Sequence, residues 1–176
     1  MLEDHERGSR NPGIREPGGR DIAPCLGVLG LTYGEHLLVW TLRRLVARRG
    51  SCPLIAHEFT EVFGEDGEET LSILRIFLGL LGTAARRRLS FGHPGWPGVT
   101  SDEQRLLSLI SAAQVENAVL LEAHLAWLAR IEARRPLALA TRGLAAAFAE
   151  HDLGFSPVAA GNAGASTPRT AIRLVS

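Results

Sequence analysis

Arginine supplies every fixed positive side-chain charge in this chain: nineteen bases balance nineteen acids, and none of the bases is Lys. They gather in clusters, with Arg43, Arg44, Arg48 and Arg49 in one stretch, Arg86, Arg87 and Arg88 in a second, and Arg134 with Arg135 in a third. Forked guanidinium donors at that density can hold phosphates, and two clusters ending on one side would form a basic patch. The competing explanation is local, because each cluster falls in or near the last turn of an expected helix, where the dipole favours cations. No aromatic residues interleave the arginines and no recognition helix stands out, so nucleic acid is the alternative partner rather than the first. The missing Lys removes P-loop phosphate binding, kinase chemistry and pyridoxal Schiff bases outright.

The other reactive residues are scattered. His5, His36, His57, His93, His124 and His151 contain no H-E-x-x-H, no His pair at i and i+4, and no Glu-x-x-His repeat. His57 and Glu61 have the spacing of a helical surface pair, and His124 falls between Leu121 and Leu128 on an apolar face, the setting of a hydrogen-bonded core histidine. Cys25 and Cys52 form no C-x-x-C, and Cys52 precedes a proline with no general base beside it. There is no G-x-S-x-G, and Gly27, Gly30 and Gly34 do not make a G-x-G-x-x-G. The chain is therefore read as non-enzymatic, with no metal and no cofactor. An enzyme of unfamiliar type built around Arg75 and His124 is the remaining catalytic reading.

Two places have the chemistry of a binding surface. His93 and Trp96 sit in Gly92-His93-Pro94-Gly95-Trp96-Pro97-Gly98, a loop stiffened by prolines; its indole suits either a binding anchor or a lid over neighbouring helix ends. Arg75 lies on a stripe with Ser72, Gly79, Gly82 and Arg86 along an otherwise apolar run from Leu71 to Ala85. The two glycines imply a close backbone approach or a notch that receives a ligand. A partly buried Arg75 needs a carboxylate, for which Glu58, Glu103 and Glu122 are candidates. The candidate binding residues are thus Trp96, His93, Arg75, Arg86, Arg87 and Arg88.

Helix signals position these groups. Thr32 and Glu35 have the spacing of a capping box before a helix striped by Leu38, Leu42, Leu45 and Val46 and stopped at Gly50. Pro53 starts a second helix that ends at Gly64, and Asp66 with Glu69 can cap a third that closes at Arg86-Arg87-Arg88. Thr100 and Glu103 form another box before Leu106, Leu109, Ile110 and Ala113. After a break near Gln114 to Asn117, a fifth helix carries Leu121, His124, Leu128 and Ile131, and Pro136 opens a sixth that stops at Gly154. No stretch alternates with period two over strand length, and no repeat stands out.

The expected fold is an all-α single domain, residues 22–155, in which about six helices surround a buried central helix at residues 67–88. Flexible tails of residues 1–21 and 156–176 flank it. With 176 residues, 45% of them hydrophobic, the chain has enough apolar content for a core without metal or disulfide. Leu71 to Ala85 is shorter than the roughly 20 apolar residues a bilayer requires and contains Arg75. The start, Met1-Leu2-Glu3-Asp4-His5-Glu6, lacks the basic and apolar pattern of a secretory signal, so the cytoplasm is the expected compartment.

From Pro97 to Leu107, and again at Ala112-Ala113-Gln114, the sequence resembles a group of small, uncharacterised, all-helical bacterial proteins. In that group a proline loop leads into a Thr-x-x-Glu-x-x-Leu-Leu helix. The resemblance implies the helical fold and carries over no functional residue. What remains is a protein-interaction module, regulatory or accessory, with phosphate or nucleic acid binding by the arginines of helices one and three as the alternative.

Overall fold

A computed structural model describes residues 30–47, 52–156 and 172–173. The chain is mostly helical, in the order α1 (Tyr33–Ala47), α2 (Pro53–Phe63), α3 (Gly67–Ala84), α4 (Ser101–Gln114), α5 (Ala118–Leu128) and α6 (Ile131–Glu150). Two short strands, β1 (Ser90–Phe91) and β2 (Ile172–Arg173), pair antiparallel. The expected tail 1–21 and the stop at Gly50 lie outside the described residues, as does the expected C-terminal tail beyond Ser156 apart from β2. Among the described residues no helix is long and apolar enough to cross a membrane.

The capping boxes set the helix starts where the side chains reach. Thr32 donates its amide to Glu35 Oε2 at 2.8 Å and accepts the Glu35 amide on its hydroxyl at 3.3 Å. Thr100 and Glu103 make the same reciprocal pair at the start of α4. The third expected box does not form. Asp66 closes a single 3-10 turn, Gly64–Asp66, with helical backbone angles that keep its carboxylate off the α3 amides, and it meets His151 Nε2 at 3.3 Å instead. That contact ties the end of α6 to the start of α3, so the two helices run antiparallel.

α3 stops at Ala84 rather than at residue 88, because Ala85 turns extended and pairs with Ala129 in an isolated bridge. Arg86, Arg87 and Arg88 therefore lie beyond the helix, and its dipole does not explain them. α6 begins at Ile131, five residues before the expected start, with Pro136 inside it. Glu132 and Pro136 are both exposed, so the carbonyl that a prolyl nitrogen cannot satisfy sits on the watered side.

Nor is α3 the sheathed rod that its apolar run implies. It buries Leu71, Leu74, Phe77 and Leu81 but leaves Ser72, Arg75, Ile76, Gly79 and Thr83 exposed. A Cβ placed on Gly79 would meet nothing within 4 Å, so no backbone passes close there. The close approach is at Gly67, where a Cβ would lie 2.6 Å from the Phe59 carbonyl oxygen at the corner between α2 and α3. The covered helix is α4: none of its residues is exposed, and it packs against both α5 and α6. The core joins Phe59, Phe63, Phe77 and Phe148 to Leu106, Leu109 and Ile110 of α4.

Candidate functional site

The first turn of α4 brings together one arginine from each of the two larger clusters, Arg43 and Arg87. Its N-terminus carries Asp102 and Glu103, acids suited to the positive end of the helix dipole. Glu103 takes the Arg43 Nε at 2.7 Å on Oε1 and the Arg43 Nη2 at 2.8 Å on Oε2. The amides of Gly92, at 3.0 Å, and Thr100, at 2.8 Å, complete two acceptances on each oxygen. The side chains of Arg43 and Glu103 are 5% and 0% exposed. Arg43 also donates to the carbonyls of Trp96, at 2.7 Å, and Gly98. The fork thus holds the loop that follows β1 against α4.

Asp102 does the same work for the second cluster. It accepts the Ser90 amide at 2.8 Å and both terminal nitrogens of Arg87, with Arg105 Nη1 3.6 Å away. Glu103 thus accepts four hydrogen bonds and Asp102 three, and the network ties α1 and the segment around β1 to the first turn of α4. Of the first cluster, Arg44 stacks over Trp40 at 4.5 Å, and Arg48 and Arg49 lie outside the described residues.

Trp96 folds back on its own loop. Hypothetical Cβ atoms on Gly92 and Gly98 would fall 2.6 and 2.8 Å from its ring, and the Arg43 guanidinium lies 5.6 Å from the ring centre. The ring therefore lies against its own loop and the Arg43 side chain from α1. His93 is exposed, with Nδ1 2.9 Å from the Pro94 carbonyl. Arg86 reaches the Ala126 carbonyl at 3.1 Å, and Arg88 is exposed.

Arg75 is also exposed, and its three candidate carboxylates are engaged elsewhere: Glu103 by Arg43, Glu58 by the Tyr33 hydroxyl at 3.2 Å, and Glu122 by Arg134 at 3.5 Å. His124 stands half-buried on α5, where burial and then the nearby Arg105 charge hold its pKa below the ordinary 6.5. Arg75 and His124 share no hydrogen bond. Among the described residues, no three His, Cys, Asp or Glu side chains gather where a metal could be held.

The surface that stands out was not singled out by residue type. α5 reads Ala118-Val119-Leu120-Leu121-Glu122-Ala123-His124-Leu125-Ala126-Trp127-Leu128, apolar nearly all the way round. Only Leu121, Leu125 and Leu128 are buried, all on one side. The opposite side presents Val119, 83% exposed, with Leu120, Ala123 and Trp127. Just beyond the two ends, Val115 and Ile131 are 60% and 69% exposed. The Trp127 ring is stacked by Arg105 at 3.8 Å and by Arg87 at 4.5 Å, so an aromatic does interleave the arginines, contributed by a different helix. The signal for this face was in the sequence as a lack of periodicity, since a helix apolar all round is normally covered all round.

Compared with protein-family models, with curated proteins and with solved structures, the chain matches none.

Proposed function

We propose that this chain is a non-enzymatic interaction module that docks another protein surface on the outward side of α5. The observation that carries the reading is the mismatch on that helix: eleven residues with only Glu122 and His124 polar, yet only one side covered by the rest of the molecule. A largely exposed side chain such as Val119 gains roughly 1.5–3 kcal/mol on full burial and the half-covered Leu120 gains less, so a partner closing over this row has a driving force already in place. Trp127, stacked by two guanidiniums, is the kind of anchor on which interface energy concentrates. A regulatory or accessory role in the cytoplasm belongs to the same proposal, as does a helical bundle as the scaffold presenting α5.

The network at α4 weighs against the reading in which arginines of the first and third helices hold phosphate. The two guanidiniums best placed for it, Arg43 and Arg87, already have internal anions in Glu103 and Asp102. A direct test is affinity capture with the full chain and with Val119→Glu, which places a charge at the most exposed side chain of the row. The expected result is that proteins retained by the wild type are lost from the variant while its circular dichroism is unchanged. An identical retained set on both would overturn the assignment of this face.

A further inference from the structure

We infer that Arg86, Arg130 and Arg134 form a binding site for a phosphoryl dianion, in the hollow between the end of α3 and the start of α6. The inference is independent of the docking face on α5. The three side chains line one hollow of about 340 Å³ together with Ala129, Ile131 and Glu132. Their backbones are pinned on either side of the Ala85–Ala129 bridge: Arg86 donates its amide to the Leu128 carbonyl at 3.0 Å, and Arg130 donates its own to Ala84 at 3.1 Å. Arg134 follows Arg130 by four residues, one turn along α6.

These guanidiniums are anchored by carbonyls, not by carboxylates. Arg130 Nη2 donates to the Thr83 carbonyl at 2.9 Å and Arg86 Nη1 to the Ala126 carbonyl at 3.1 Å, while Arg134 Nη2 comes within 3.5 Å of that same Ala126 oxygen. The last turns of α3 and α5 thereby gain cationic caps, which accounts for where the guanidiniums lie. A carbonyl dipole does not cancel a full charge, and the shared oxygen sets Arg86 beside Arg134, like against like. Among the described residues Arg86 and Arg130 have no carboxylate within 4.0 Å, and Arg134 has only the exposed Glu122 at 3.5 Å. That separates them from Arg43 and Arg87, whose charges are met by Glu103 and Asp102. Three guanidiniums against the single carboxylate of Glu132 leave the lining with a surplus of two positive charges, the complement of a phosphoryl dianion. Each guanidinium carries five N–H donors, and the carbonyls take one from Arg86 and one from Arg130, so several phosphate oxygens can be met at once. α6 also starts here without a side-chain cap, and its first-turn amides favour the same sign of ligand.

Isothermal titration of the full chain with inorganic phosphate and with phenyl phosphate, each beside acetate at matched ionic strength, tests the site. Phosphate should bind and acetate should not. Arg130→Gln should weaken phosphate by about tenfold or more through the loss of a charge-assisted contact. Arg142→Gln, at an exposed position further along α6, should bind like the wild type. Glu132→Gln removes the competing carboxylate and should tighten binding. Phenyl phosphate binding more tightly than phosphate would place the phosphoryl group on an ester whose organic part lies against the exposed Ile131; equal or weaker binding would assign the free anion. If Arg130→Gln loses its circular dichroism, the Glu132→Gln result decides. A wild type that binds no phosphate, acetate bound equally well, equal losses in Arg130→Gln and Arg142→Gln, or weaker binding by Glu132→Gln would overturn the inference. Val119→Glu should bind phosphate as the wild type does, so failure of this site and failure of the docking face are told apart.

Discussion

The first turn of α4 and the outward side of α5 meet at Arg105, which pairs with Asp102 and stacks on Trp127, yet they are built on opposite terms. At α4 the groups are charged, buried and answered: Glu103 has a donor for every lone pair it offers. At α5 the outward groups are apolar and exposed, and of them only Trp127 is met, by the guanidiniums stacked on it. Charged residues are therefore a poor guide to function at this junction. The arginines gathered at α4 bind the protein's own carboxylates, and the surface left open beside them is the greasy one.

The contrast is broken or sharpened most strongly at Glu103. Glu103→Ala leaves Arg43 buried without its counter-charge and removes half of the capping box, and should lower stability by about 3–5 kcal/mol in urea unfolding. A loss below about 1 kcal/mol would show that water answers Arg43 as well as Glu103 does. Thr100→Ala, which deletes only the cap hydroxyl, should cost about 1 kcal/mol by the same measurement. Gly79→Ala probes a surface that is open without being a dock, and should raise stability by about 1 kcal/mol with association unchanged. A loss instead would reveal a neighbour over α3.

Val119→Glu should move unfolding by less than about 0.5 kcal/mol, because the side chain touches little within the chain. Its effect belongs to association. The smallest effect is expected at His124, whose folded pKa is depressed. The unfolded chain takes up the proton first, so the stability that His124 contributes is whole above 6.5 and is lost as pH falls through the lower folded value. A pH series on wild type and His124→Gln should show the acid-side decline reduced in the variant, and superimposable curves would remove Arg105 and burial as its cause.

Local signals in the sequence were legible where one side chain reaches one backbone group. The boxes at Thr32 and Thr100 and the cap at Asn117 each depend on a neighbour three residues away, and the start at Pro53 on the proline ring itself. Asp66 failed because a 3-10 turn, set by the packing of Gly67 on Phe59, reoriented its backbone. Arg43 could not be matched to Glu103 because sixty positions separate them, and nothing local told Arg43 from Arg75 as the buried member. The apolar run at residues 71–85 and the apolar helix at 118–128 look alike as strings. Only tertiary packing showed that neither is covered all round, and that α5 keeps the larger unburied row.

The most direct test of the α5 docking face is the set of proteins that the full chain retains in affinity capture, beside the set retained by Val119→Glu. Proteins held by the wild type should be lost from Val119→Glu while its unfolding midpoint in urea stays close to that of the wild type. The same retained set on both proteins would contradict it.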